Sequence, residues 1–523
     1  MALLAGTAER GRVTPALLSA LSARVTVTAP RPPLSERIPF TDEPLGEVPH
    51  ATAEDVVTAV ERARAAQAGW ARTPIRARAQ VLLRFHDLLL DRHAELLDIV
   101  QLETGKARRH AFEEVLDTAG VARYYARTAA RHLAPHRRRG AFPLVTWAEE
   151  RHVPVGVVGV IAPWNYPLVL TAGDALPALA AGNAVVLKPD HQTSFTALWA
   201  AALLADAGLP DGVVQVITGP GPELGPPLID AVDYVMYTGS TPTGRAVGQQ
   251  AAARLIGSSL ELGGKNPMVV LADADLDRTV EGAVRACFSN AGQLCVSMER
   301  IYVERPIHDE LVRRLAERVG SMVLGAGLDY RSEMGSLQSQ RQLDTVSAHV
   351  EDAVTKGATV VTGGRPRPDL GPFFYEPTIL TGVTPDMACA SEETFGPVVA
   401  VHAVRDADEA VERANASAYG LNASVWGRDT RNARAVARRI RAGTVNVNEG
   451  YGSAWGSTDA PMGGMKESGL GRRHGAEGIR KYAEAQTVAM QRGVPFQPVL
   501  GLSYERWAGL VVLVMQALRR VPR

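Results

Sequence analysis

The chain has 523 residues, 46% of them apolar, and its 56 Lys+Arg balance 56 Asp+Glu to a formal net charge of zero. Zero balance removes the compositional case for nucleic acid or an acidic membrane surface as partner, while the apolar content suffices for about three lobes at ~150 residues each. Three cysteines (Cys287, Cys295, Cys389) without a CxxC pair argue against a disulfide framework or a cysteine zinc site. No metal is expected, and the N-terminus shows no secretory pattern, so a cytoplasmic protein is expected.

The first 35 residues carry Ala29-Pro30-Arg31-Pro32-Pro33 and read as a loose arm. Thr52 and Asp55 have capping-box spacing, and Val56, Val60 and Ala63 then recur at helical period. Residues 75–104 and 109–133 continue helically. Val145 to Val153 mixes Glu149, Glu150 and Arg151 with apolar residues and predicts an exposed strand. From 155 short β-branched runs (155–161, 184–187, 213–217, 234–237) alternate with helical stretches (168–181, 194–207), the pattern of a parallel, doubly wound α/β sheet. A second alternating set runs from about 266 to 447. Trp507 to Leu518 is an apolar stretch too short to cross a bilayer, which reads as a helix docked on its own subunit or a partner, or as an interfacial membrane helix.

No G-x-G-x-x-G is present, because Gly219, Gly221 and Gly225 are spaced one residue too long. Tyr234–Thr238 followed by Gly239-Ser240-Thr241-Pro242-Thr243-Gly244 predicts a strand–glycine–helix corner, which suits a phosphate or simply makes a tight connection. Lys188, with Pro189 and Asp190, ends a strand, where ligands of parallel sheets gather; a surface lysine is the plainer reading. Glu261 stands beside Gly263 and Gly264, as a carboxylate with room to swing or as a loop residue capping a helix. Cys295 follows Asn290-Ala291-Gly292-Gln293-Leu294, where a thiol could be exposed and activated; Cys287 and Cys389 read as buried small hydrophobes. Asn165, between Pro163 and Pro167, is placed to offer its side-chain amide to an oxyanion.

Taken together, PWNYP, LKPD, TGSTPTG, ELGGKNP, FSNAGQLC, EETFGPV and APMGGMKESGLGR occur in the order found in the aldehyde dehydrogenase superfamily, which the chain resembles over roughly residues 35–492. More narrowly it is similar to the succinate-semialdehyde dehydrogenases of high-GC actinobacteria. The resemblance implies a Rossmann-type cofactor domain (35–138 and 155–262), an α/β catalytic domain (263–479) and a β-strand oligomerisation arm (139–154 and 480–492). An N-terminal arm (1–34) and an amphipathic tail (493–523) flank these.

It further implies that Cys295 attacks the aldehyde, that Asn165 and the Cys295 N–H meet the oxyanion, and that Glu261 activates the hydrolytic water. Trp164, Asn165, Lys188, Asp190, His191, Gly221, Gly239, Ser240, Gly244, Leu262, Glu393 and Phe395 would surround the cofactor. Members strict for NAD carry a glutamate three residues after the lysine. His191 stands there in this chain, so NADP is the expected cofactor, with NAD possible. A homodimer or homotetramer is expected.

The substrate is less determined by the motifs. Many succinate-semialdehyde dehydrogenases carry an arginine six residues before the nucleophile, where this chain has Ser289. Leu170, Leu294, Ser289 and Ser457 are the expected pocket residues, and Ser453 is a second candidate hydroxyl. Tyr451 and Trp455 in the same loop would equally suit an aromatic or aliphatic aldehyde.

Lysine is scarce. Only Lys106, Lys188, Lys265, Lys356, Lys466 and Lys481 occur among the 56 basic residues. Lys106, Lys188, Lys265 and Lys466 fall in the motif stretches, which marks places where a compact ammonium differs from a guanidinium fork.

Overall fold

The computed structural model describes residues 10–142, 145–493 and 495–519; parts of the expected N-terminal arm, strand arm and tail (1–9, 143–144, 494, 520–523) lie outside the described residues. A six-stranded sheet is ordered Gly469–Leu470, Gly257–Glu261, Tyr234–Thr238, Val157–Ile161, Ala184–Lys188, Val214–Val216. Its strands run parallel except for the two-residue strand at the edge. The chain winds outward from Val157–Ile161 in one direction and then returns to its other side with Tyr234–Thr238. The gap between those two strands is therefore the topological switch point of the sheet, and ligands gather at the carboxyl ends there. Asn165, Lys188, Gly239 and Glu261 all lie at or just beyond these carboxyl ends.

A seven-stranded sheet is ordered Thr359–Thr362, Thr378–Thr381, Val398–Val404, Met298–Glu304, Asn266–Val270, Asn422–Trp426, Thr444–Val447 and is parallel except for its first strand. Cys295 precedes its Met298–Glu304 strand, so the amino-end loops of this sheet carry the cysteine. Buried Val, Ile and Leu fill every position of Val157–Ile161 and Ala184–Lys188 apart from Gly159, Ala184 and Lys188, as strands covered on both faces require.

The expected helix start at Thr52 forms a capping box with Asp55. The expected arm strands pair as Ala483–Gln491 with Thr146–Pro154, and His136–Arg139 adds a third strand. Two expectations change. The loose N-terminal arm is instead anchored: Pro15–Ser22 is a helix capped by Thr14, with Pro15 in its first turn, and Val13, Leu18, Leu21 and Val25 are buried. Thr14-Pro15 was the missed start signal, a capping hydroxyl followed by a ring that presets φ. The Tyr504–Leu518 helix does form, yet none of its residues is buried, so it is not docked on its own subunit.

Candidate active site

Asn165 sits in the turn after Val157–Ile161, held from three sides. Lys106 Nζ donates to its carbonyl at 2.7 Å, Asn290 Nδ2 donates to the same carbonyl at 3.1 Å, and its own Nδ2 donates to the Gln293 carbonyl at 3.1 Å. Lys106 is fully buried and also bonds Glu114 at 2.6 Å; Glu114 in turn accepts from the Leu168 and Val169 N–H groups. One amide proton of Asn165 is thus tied to the loop that carries the cysteine, and no partner for the second is seen among the described residues. The helix that follows opens with a π turn, Val169–Gly173, and contains Pro177, which removes the hydrogen bond to the Gly173 carbonyl.

Cys295 is partly exposed and packs against an apolar cluster that includes Tyr166, Leu170, Leu294, Tyr451, Trp455 and Met462. Burial, with the charges of Glu393 and Glu261, pushes its thiol up to about 12. Apolar walls and the neighbouring carboxylates disfavour the thiolate, while Arg473 favours it. The Asn266 amide bonds the Cys295 and Ser297 carbonyls, each at 2.7 Å, and so fixes the loop from below. Asn290 and Ala291, at φ 52° and 53°, are non-glycine residues in the left-handed region within this same loop.

Glu261 ends its strand and is 5% exposed. Burial raises its carboxyl to about 7, while Arg473 and Lys481 act to lower it and Asp174 to raise it. Its backbone is pinned by pairing to Gly469, and the Leu262 N–H donates to the Ser468 carbonyl at 3.0 Å, so any swing belongs to the side chain alone. The adjacent glycines serve close approach: a Cβ on Gly263 would fall 2.5 Å from Glu393 Oε2, and one on Gly264 would fall 2.5 Å from the Cys295 carbonyl.

A cavity of about 10 Å³ is lined by Asp117, Asp174, Arg473, His474 and Lys481 among others, and three of these (Asp174, Arg473, Lys481) are the charges that act on Glu261. Arg473 donates twice to Asp174, at 2.6 and 2.9 Å. Burial lowers Lys481 to about 8 and raises Asp117 to about 7. Nothing in the motifs pointed to Asp174 or Arg473, because Arg473 lies one residue past the last of them.

The donors at the switch point fit a nicotinamide dinucleotide. The helix Thr241–Ala253 starts at Ser240 without a side-chain cap, which leaves its first N–H groups and positive dipole end for a phosphate. A Cβ at Gly244 would overlap the Leu262 side chain, so glycine lets this helix close onto the strand end. Lys188, buried, donates to its neighbour's carbonyl at 2.9 Å. Gly221 opens the helix Gly221–Ala231 with open space beside it.

Asp190 accepts from Gln192 and stands 3.4 Å from His191 Nδ1. On the other side Trp164 and Phe395 meet edge to face at 5.6 Å. Glu393 accepts from the Gly264 N–H at 2.8 Å. Phe395 has φ 50° and is held there by Glu299, which accepts the Thr394 and Phe395 N–H groups at 3.0 Å each. Lys265 bonds Glu299 from below, so this lysine supports the Glu393–Phe395 corner.

Leu170 and Leu294 share the apolar cluster with Cys295. Ser289 is buried beside it, but its hydroxyl is spent: it donates to the Arg285 carbonyl and accepts from Tyr451 Oη, both at 2.8 Å. Ser457 is a correction. It is exposed, and its hydroxyl turns back to the Ser453 carbonyl at 2.6 Å because it lies one helical turn on. Tyr451 and Trp455 are buried, at 2% and 8% exposure, and pack on each other and on Tyr166. Arg285, half-exposed, lies over the Tyr451 ring at 5.3 Å and near Glu449 and Glu113, while the buried Lys106 lies over the Tyr166 ring at 3.9 Å.

Residues 28–488 match the model of the aldehyde dehydrogenase family. The chain belongs to that family. As a member it is an NAD(P)-dependent oxidoreductase that oxidises an aldehyde. A protein of Mycolicibacterium smegmatis, named as a candidate succinate-semialdehyde dehydrogenase [NADP(+)], is 53% identical over 483 residues, covering 92% of this chain and 93% of that protein. A Mycobacterium tuberculosis protein with the same name and the number 2 is 50% identical, covering 96% of each chain. Among solved structures, an NAD-dependent aldehyde dehydrogenase of Sinorhizobium meliloti superposes with TM-score 0.86 at 37% identity, covering 90% of this chain and 93% of that one. Betaine aldehyde dehydrogenase of Staphylococcus aureus in complex with NAD+ gives 0.86 at 31% identity, covering 93% and 99%.

Proposed function

We propose that this aldehyde dehydrogenase oxidises succinate semialdehyde to succinate with NADP, and that Cys295, Asn165 and Glu261 carry the chemistry. The observation that carries the substrate and cofactor is the 50–53% identity, over most of both chains, to relatives named for that reaction with NADP(+). His191, in place of a carboxylate that would repel a 2′-phosphate, supports NADP.

The ionised Glu261 carboxylate takes the proton of the Cys295 thiol and later loses it to solvent; the sulfur attacks the carbonyl carbon, and the second amide proton of Asn165 and the Cys295 N–H receive the oxyanion. When bound, the nicotinamide supplies the acceptor for the hydride that leaves that carbon. The resulting Cys295 thioester is hydrolysed by a water that Glu261, with its carboxyl near 7, deprotonates. Arg285 at the rim is the cation that meets the distant carboxylate of the substrate, since Ser289 and Ser457 are otherwise engaged.

A second reading, a broad aromatic and aliphatic aldehyde dehydrogenase, is favoured by the Tyr166, Tyr451 and Trp455 walls. Steady-state kinetics with succinate semialdehyde, benzaldehyde and hexanal, each with NADP and NAD, separates the two. Succinate semialdehyde with NADP should give the highest kcat/KM; comparable values across the three aldehydes would remove the carboxylate-specific reading, and a clear preference for NAD would remove the NADP one. We also place the enzyme in the cytoplasm as a homodimer or homotetramer. The Ala483–Gln491 strand supports assembly: it is an edge whose residues are almost all exposed, and such an edge seeks a partner.

A further inference from the structure

The helix Tyr504–Leu518 buries no residue, although Trp507 to Met515 contains no charged side chain. Leu510, Val512, Leu513 and Met515 are each more than half exposed, and they point to different sides of the helix. A helix that docks on protein carries one apolar stripe and an opposite polar face; one that is apolar all round suits surroundings that are apolar on several sides. At 1.5 Å per residue its 15 residues reach about 22 Å, short of the ~30 Å hydrocarbon core.

Charge adds a second, independent observation. From Arg492 onward the sequence holds five arginines and a single acid, Glu505, so the overall zero balance conceals a basic tail. Arg506 and Arg519 flank the apolar stretch, and Tyr504 and Trp507 pack edge to face at its first turn. The strand sheet from which the tail departs is basic at the same end: Arg139 registers with Trp147, which registers with Met490. Arg139 makes no salt bridge among the described residues. Exposed Met490, Phe496 and Leu500 lie along the path to the helix.

We propose that this C-terminal segment docks the enzyme on an anionic lipid bilayer surface. The apolar stretch enters one leaflet, and the arginines at both ends hold it at headgroup level, so the helix lies along the membrane and does not cross it.

The test is flotation of the full-length protein with vesicles of phosphatidylcholine and phosphatidylglycerol in equal parts, compared with phosphatidylcholine alone. The full-length L510E/L513E variant is run beside it, with dehydrogenase activity as the control for folding. The unmodified protein should float with the mixed vesicles. Its partitioning should fall at least ~10-fold in the variant and several-fold on neutral vesicles or in about 0.5 M salt, while activity stays unchanged. The proposal is overturned if the unmodified protein stays out of the lipid fraction, or if the variant floats equally well. It is also overturned if the variant only halves the mass in lipid-free buffer without altering flotation, which would assign the helix to a second copy of the chain.

Discussion

Lys106 Nζ donates at 2.7 Å to the main-chain carbonyl of Asn165, the residue whose side-chain amide faces the candidate nucleophile's loop. The lysine is fully buried and its countercharge is Glu114, so the position of Asn165 depends on an ion pair out of reach of solvent. Replacing Lys106 by Met strands the Glu114 carboxylate in the interior. We expect a loss of about 3–5 kcal/mol in urea unfolding. In the folded fraction kcat should fall while KM for NADP changes little.

Removing the Asn165 amide itself should act chiefly on rate, with a loss of about 1 kcal/mol of stability from its buried hydrogen bond to the Gln293 carbonyl. Asn165→Ala is expected to lower kcat by ~10²–10³, as for loss of one oxyanion donor, with only a small fall in the thermal melt. A fall of less than threefold would take Asn165 out of the reaction.

As the proposed base, Glu261 should set the pH profile of thioester hydrolysis. A base works only when deprotonated, and burial holds this carboxyl at about 7. Hydrolysis should therefore rise with pH and level off above about 8, and at pH 6 only about a tenth of the plateau rate should remain. Glu261→Gln should abolish the profile and leave a slowed, stoichiometric burst of reduced cofactor, read by stopped-flow absorbance.

Arg285 is the rim cation, half-exposed and shared with Glu113 and Glu449. Because solvent screens it, its contribution is modest: Arg285→Ala should raise KM for succinate semialdehyde about 3- to 10-fold. KM for hexanal, which carries no carboxylate, should stay the same.

Lys265 holds Glu299, and Glu299 holds the strained Phe395 corner. Lys265→Met should free that corner and weaken NADP binding about tenfold by fluorescence titration, with a smaller effect on the aldehyde KM.

The strands and the switch-point residues were legible because β-branched runs, strand-ending lysine and glycine corners are local patterns. The capping box at Thr52 and the exposed strand at 145–153 are of the same kind, whereas the 480–492 strand of the arm came only from the family resemblance. The lysine count singled out Lys106 and Lys265 without revealing their work, since Glu114 and Glu299 reach them only through tertiary packing. Asp174 and Arg473 were illegible for the same reason: each is an ordinary charged residue until folding joins them where their charges act on Glu261. Ser457 misled because a hydroxyl in a loop says nothing of the helical turn that bends it back to the Ser453 carbonyl.

The arm sheet joins Thr146 to Gln491, a separation of 345 residues along the chain. At a synthesis rate of 5–20 residues per second, Thr146–Pro154 must wait about 20–70 s on the ribosome for its long partner strand. During that interval its edge is open to any extended segment nearby. The charged run Glu149, Glu150 and Arg151 therefore acts first as protection for a nascent chain, and only afterwards as part of a finished sheet.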